Sequence, residues 1–174
     1  MKKKLLTITA LLAALTFFNI KASAQAVSDP VTVNITLSDA FSIVLEATPT
    51  VTFTYADAAA YATSQTVLKS DHFSIISNKP YSIAVKANSV FNTILTTTPP
   101  LSAVKISVDA STVTTGATYT TATLSTTNQT IAAAASPTIG TAYNINYAIP
   151  TGAPLLAMSA GTYTTNVVYT VTQP

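Results

Sequence analysis

Arginine, cysteine and tryptophan are missing from this 174-residue chain, which also carries one histidine, one glutamate and four glycines. Each gap removes a class of protein. Without cysteine there is no disulfide, so an exported domain must be held by its apolar core alone. Nor is there a thiol to accept a lipid, and the chain is not expected to be a lipoprotein. With one histidine and one glutamate, the supply of general acids and bases is small.

Long hydrophobic runs are scarce as well. The single candidate is Leu5 to Phe18, 14 residues, preceded by Lys2, Lys3 and Lys4 and followed by Ala22-Ser23-Ala24. A basic start, a short apolar stretch and small residues at a cleavage position make a secretory signal. Spanning a bilayer takes roughly 20 residues. The reading is therefore a signal peptide over residues 1–24 and a single domain over residues 25–174, beginning at Gln25. These 150 residues are enough to bury roughly 68–70% of the unfolded surface. No later segment is apolar enough to cross a membrane, so no membrane span is expected after cleavage.

Cleavage also reverses the charge. Lys2, Lys3, Lys4 and Lys21 leave with the signal. The remainder sets Lys69, Lys79, Lys86 and Lys105 against Asp29, Asp39, Glu46, Asp57, Asp71 and Asp109, turning a net +2 into −2. Four scattered lysines and no arginine lack the footprint that phosphate backbones require, which excludes nucleic acid as a partner.

What the chain has in abundance is threonine: 30 of residues 25–174, accompanied by Val, Ile, Ser, Ala and eight Tyr. Such residues suit a pleated, half-buried surface. The charged fraction of 8% is low, and the apolar residues alternate instead of clustering. That pattern points to assembly or surface attachment. Alternation recurs in "VTVNITL" (Val31, Val33, Ile35, Leu37), "FSIVLE" (Phe41, Ile43, Leu45) and "TVTFTY" (Val51, Phe53, Tyr55). It returns in "HFSIIS" (Phe73, Ile75), "YSIAVKA" (Tyr81, Ile83, Val85), "AVKISVD" (Val104, Ile106, Val108) and "YNINYAI" (Tyr143, Ile145, Tyr147, Ile149). Turn residues separate them, among them Asn78-Lys79-Pro80, Pro99-Pro100, Thr115-Gly116 and Pro150-Thr151-Gly152. Seven or more such strands predict an all-β antiparallel sandwich. Ala56 to Gln65 fits a helical turn or two, and Thr120 to Ser136 a ragged edge strand or a loop. No internal repeat divides the chain.

The last residues, "AGTYTTNVVYTVTQP", form a further alternating stretch. Tyr163, Thr165, Val167, Tyr169 and Val171 share one side, Thr162, Thr164, Asn166 and Thr170 the other, and Val168 is the exception. Eleven residues at ~3.3 Å each reach roughly 36 Å, which predicts a strand running the length of one sheet and closing the core. This ending, with the preceding "YNINYAIP", resembles small exported domains of the bacterial spore coat protein U family, fimbrial-type subunits and WxL surface domains. The resemblance covers about the last 35 residues and implies an immunoglobulin-like sandwich with a role in pili, coats or adhesion. The chain departs from these families in having no tryptophan for the Trp-x-Leu signature and no cysteine for the fimbrial disulfide. The architecture is carried over and no functional residue is.

No catalytic, cofactor-binding or metal-binding residue is assigned. His72 follows Asp71, and its phase, opposite to Phe73 and Ile75, predicts a solvated side chain beside a turn. No Ser or Thr sits in a nucleophile elbow. The aspartates lack the spacing of a calcium loop, and Glu46 has no partner of the glycosidase kind. The eight tyrosines are read as core and cross-strand residues. The sequons at Asn34 and Asn128 stay idle in a bacterial host, which the lysine-rich start indicates.

Three readings stay open, in this order. The first is a non-catalytic structural or adhesive surface subunit that pairs with itself or other surface subunits through strand edges. The second is a module binding carbohydrate or peptidoglycan, which needs a tyrosine cluster on one exposed face. The third is an exported hydrolase.

Overall fold

In the computed structural model, residues 32–173 are described, apart from residues 48 and 93–96. The signal segment 1–24 and Val31 lie outside the described residues. Residues 37–173 fold as two packed antiparallel sheets, an all-β sandwich, as the alternation predicts. The strands are β1 (Phe41–Leu45), β2 (Gln65–Ser77), β3 (Tyr81–Ala87), β4 (Lys105–Val108), β5 (Thr118–Tyr119), β6 (Ala122–Thr123), β7 (Gln129–Ala135), β8 (Thr138–Ile149) and β9 (Val167–Thr172). One sheet has the order β1-β2-β8-β4-β6 and the other β5-β7-β3-β9. No helix among the described residues is long and apolar enough to cross a membrane.

The core follows the period-2 faces. Tyr81, Ile83, Val85 and Ala87 alternate inward along β3, while Ser82, Ala84 and Lys86 are half-buried between them. Tyr143, Ile145, Tyr147 and Ile149 do the same along β8, and Ile106 and Val108 along β4. Each large side chain buried this way contributes roughly 1.5–3 kcal/mol. Inside the core the Tyr81 and Tyr143 hydroxyls pair at 2.8 Å, and Phe73 stacks on Tyr143 with centroids 5.2 Å apart, whereas the buried Tyr55 hydroxyl has no partner among the described residues. Burial pushes Tyr81 and Tyr143 above their ordinary pKa.

Alanine-rich Ala58–Ala62 forms a short helix, α1, capped by Asp57, whose carboxylate accepts the Ala60 N–H at 2.9 Å. It packs against the 3-10 turn Ala153–Leu155.

Several expectations are corrected. Thr32–Thr36, with Leu37, has no strand; all are exposed, including Val33, Ile35 and Leu37. Residues 51–55 are not in a ladder, yet Val51, Phe53 and Tyr55 still turn half-buried onto the core. The stretch 120–136 is edge and loop only in its first half, where β6 ends its sheet and residues 124–128 connect onward; its second half is β7, an inner strand with Ile131, Ala132 and Ala135 sealed. Small alanines allow that close packing. The terminal strand is shorter than expected, spanning Val167–Thr172. Before it, Thr164 makes one bridge to Asn92, while the Tyr163 hydroxyl donates to the Ser159 carbonyl at 2.7 Å and the Thr165 hydroxyl to the Ser89 carbonyl at 2.7 Å. Those loop contacts take residues 162–166 out of the ladder. β9 therefore does not close the core. It is an edge.

Candidate functional site

A bulge in β2 decides what faces inward here. The β2–β8 ladder steps from Lys69↔Ile145 to Phe73↔Tyr143, so Ser70, Asp71 and His72 face Asn144 alone. Asp71 adopts φ +48°, the left-handed region that costs a non-glycine residue about 1–2 kcal/mol. Its N–H donates to Asn144 Oδ1 at 2.7 Å, and Asn144 Nδ2 in turn donates to the Ser111 hydroxyl at 2.9 Å. The bulge turns two consecutive residues, His72 and Phe73, into the core. The solvated His72 predicted from strand phase is thus overturned: the ring is 1% exposed.

Burial obliges the ring to find partners. His72 Nδ1 lies 2.7 Å from Glu46 Oε1, just beyond β1, and Nε2 lies 2.8 Å from the Tyr147 hydroxyl on β8. The Tyr147 hydroxyl is in turn 2.5 Å from that of Tyr169 on β9. Lys69 pairs with the same Glu46 oxygen at 2.9 Å. His72 and Lys69 hold the Glu46 carboxyl below the usual glutamate range, the histidine bond being the larger cause. Burial pushes Tyr147 up to about 12 and Tyr169 well above its ordinary value. The result is an unbroken polar chain from the end of β1, through β2 and β8, to β9 in the opposite sheet. Both ring nitrogens of His72 are engaged, so the ring has no free nitrogen to act as base toward a nucleophile.

That chain lies behind an open side of the sandwich. Phe41, Ile43 and Leu45 of β1 stand opposite Ser77, Ile75 and Phe73 of β2. Directly opposite residues share a face, and those three partners are sealed in the core. Phe41 is nevertheless 47% exposed and Leu45 46%. β9 shows the same mismatch. Val167, Tyr169 and Val171 stand opposite Ala87, Val85 and Ile83, all sealed, yet are themselves only half-buried. The cause is a difference in strand number. β9 lies over β2, as the Phe73–Tyr169 centroid distance of 4.8 Å records, and β7 packs toward β4 and β6. The second sheet has four strands against five, and among the described residues nothing in it covers β1. That leaves β1 without a facing strand in the second sheet. The walls of this open side are apolar, and along it the β9 backbone has no strand partner beyond β3 among the described residues.

Elsewhere the surface carries little chemistry. An outer cleft of about 430 Å³ is lined by Ala40, Ile76, Ser77, Asn78, Pro137, Thr138 and Ile139, none of them ionisable. Asp109 caps a turn, accepting from the Ser111 N–H at 2.9 Å and from Asn146 Nδ2 at 2.6 Å. Among the described residues, no three His, Asp or Glu side chains converge on a point that could hold a metal ion. No protein-family model matches the chain, and no curated protein matches it. The open side had no counterpart in the sequence reading.

Proposed function

We propose that the chain is a non-catalytic structural subunit of an exported, surface-located assembly, and that subunits join by strand addition at the open side. The observation that carries this reading is the pair of half-exposed inward triads, Phe41, Ile43 and Leu45 on β1 and Val167, Tyr169 and Val171 on β9. An added strand would pair with the β9 backbone, bring the second sheet to five strands and cover β1. Main-chain bonds of that kind supply affinity, and alternate side chains supply register.

The occupant that fits is residues 32–37 of a second copy. Val33 is 77% exposed, Ile35 79% and Leu37 86%, and they alternate with Thr32, Asn34 and Thr36. Three large apolar residues at every second position match a gap walled by apolar residues at every second position. The segment has no acidic or basic side chain to desolvate. Its insertion removes both exposed apolar surfaces at once, which solvent would otherwise penalise.

Sedimentation of the chain beginning at Gln25 tests the reading. Association should grow with protein concentration, and a synthetic peptide of residues 30–38 should compete with it. Ile35→Asp in the chain should leave a folded monomer, because a charge cannot enter the gap unpaired. A wild-type chain that stays monomeric at high concentration and ignores the peptide would refute the proposal. The glycan-binding reading asks for tyrosines on an exposed face. All eight are buried or half-buried, which gives it no support.

A further inference from the structure

We propose that His72 is a proton-operated latch on β9: when its ring takes a second proton, the hydrogen-bond chain to Tyr169 loses its acceptor and the edge strand loosens. The argument rests on the direction in which the chain can run. A carboxylate only accepts, so the proton between Glu46 Oε1 and His72 Nδ1, 2.7 Å apart, sits on the ring. A neutral ring protonated at Nδ1 has an acceptor at Nε2. Tyr147 therefore donates to Nε2 across 2.8 Å, and Tyr169 donates to Tyr147 across 2.5 Å. Every donor is matched to an acceptor.

Protonating the ring places a hydrogen on Nε2 and makes it a donor. Tyr147 must then accept, and its own proton must turn toward Tyr169. The Tyr169 proton must then turn away from Tyr147, and among the described residues its hydroxyl has no second hydrogen-bond partner. Such an orphaned donor is costly to keep buried. The group with room to move is Tyr169, because its strand is an edge with half-buried side chains, whereas Tyr147 is sealed in the middle of its sheet. The charged ring meets Glu46 on one side, with Lys69 on the same carboxylate, and the two phenols of Tyr147 and Tyr169 on its other sides. The neighbouring Asp71 has its side chain at the exposed surface. Glu46 can hold the added charge at Nδ1 but cannot repair the chain beyond Nε2.

The latch is a property of the single folded chain and stands whether or not strands dock. A weaker grip on strands arriving at β9 in acid is its consequence under the assembly reading, and that consequence rests on it. Hydrogen exchange read by NMR on dilute, monomeric chain tests the latch alone, with the His72 ring followed by its nitrogen shifts. As the pH is lowered and the ring is seen to take up its second proton, the β9 amides should open more often. Corrected for intrinsic rate and normalised to β3 and β8, the rise should be roughly tenfold. It should track the ring's own titration. In Tyr169→Phe the ring should still titrate while β9 exchange no longer follows it, and Tyr147→Phe gives the same separation should the first variant fold poorly. A ring that stays neutral wherever the domain is folded, a β9 indifferent to its charge, or a Tyr169→Phe chain that opens like wild type would each overturn the latch.

Discussion

Asn144 Oδ1 accepts the backbone N–H of Asp71 at 2.7 Å, and this bond fixes the bulge that puts His72 in the core. Asn144 also ties that bulge to Ser111 on the far side of β8. One side chain thus holds a strained residue of β2, a turn after β4 and the register between them. Asn144→Ala should cost about 0.5–1.5 kcal/mol, the net worth of a hydrogen bond at an exposed position where water can take the freed Asp71 N–H. Urea unfolding followed by circular dichroism checks it. A loss below about 0.5 kcal/mol would mean that the bulge is held by strand packing alone.

An irregularity in β7 offers a gain. Ala134 has φ +56°, sits exposed, and lies in the irregular stretch where β7 meets β3 between Ala132 and Ala135. A Cβ in this conformation is disfavoured by about 1–2 kcal/mol. Glycine removes that strain but adds freedom to the unfolded chain, worth roughly 0.5–1 kcal/mol. Ala134→Gly should therefore be neutral to stabilising by up to about 1 kcal/mol, whereas Ala134→Val should destabilise. Paired thermal melts decide between the two signs.

Gly152 should tolerate no side chain. A Cβ there would stand 2.6 Å from the Tyr61 carbonyl oxygen and 2.8 Å from its Cα, both backbone atoms of α1. Its φ of −76° suits any residue, so the obstacle is space and not backbone strain. Gly152→Ala should destabilise by about 1–3 kcal/mol through overpacking. Gly140 is the contrasting case, with φ +150° and nothing within 4 Å of an added Cβ. There the cost of alanine comes from the backbone alone. Tyr61→Ala should not rescue Gly152→Ala, since the clash is with main-chain atoms.

These bulges also explain where the sequence could be read and where it could not. The faces of β3, β4 and β8 were legible because period-2 alternation runs unbroken through Tyr81–Ala87 and Tyr143–Ile149. His72 was misread for a physical reason. Counting by twos from Phe73 places it outside, and only the extra residues opposite Asn144 turn it inward. β7 was obscured the same way, since Ile131 and Ala132 are consecutive and both sealed. Alternation also marks which residues can line a strand without saying whether a partner exists. Residues 32–37 and 41–45 look alike in sequence, yet Ser74, Ile75 and Ile76 give the second a ladder, and the first has none among the described residues. Strand number per sheet, and so the open side, has no local signature.

Acid should weaken the domain through Glu46. Its carboxyl is held below the ordinary value by His72 and Lys69, so it adds stability that is fully present above the unfolded value of about 4.3. That contribution fades as pH falls through the lower folded value. Asp39, lowered by its bond to Lys79, and Asp109, lowered by Ser111, act in the same direction. Glu46→Gln should thus lower stability near neutrality and flatten its decline in acid, narrowing the gap to wild type as the pH drops. Urea midpoints measured from about pH 7 down to about pH 3 check the trend. A gap that widens in acid would contradict the assignment.

The edge strand β9 should carry stability out of proportion to its length. Its residues pair with β3 from Ser82↔Thr172 to Ala87↔Val167, and Tyr169 packs on both His72 and Phe73. Deleting residues 162–174 would strip one whole side of β3 of its ladder and uncover Phe73 and Tyr147 at a stroke. Each large side chain that loses cover forfeits a good part of roughly 1.5–3 kcal/mol, against about 5–15 kcal/mol for a whole domain. The new edge, β3 (Tyr81–Ala87), is longer than β9 and would invite pairing between chains. The truncated chain should therefore be unfolded or aggregated on gel filtration. Thr164→Ala should leave the melting temperature within about 1–2 °C of wild type, for the Thr164 side chain is exposed and its bridge to Asn92 uses backbone atoms only. Should the truncated chain instead remain monomeric and melt where the wild type does, β9 would be dispensable to the core. The wall of the open side would then have to be drawn along β3.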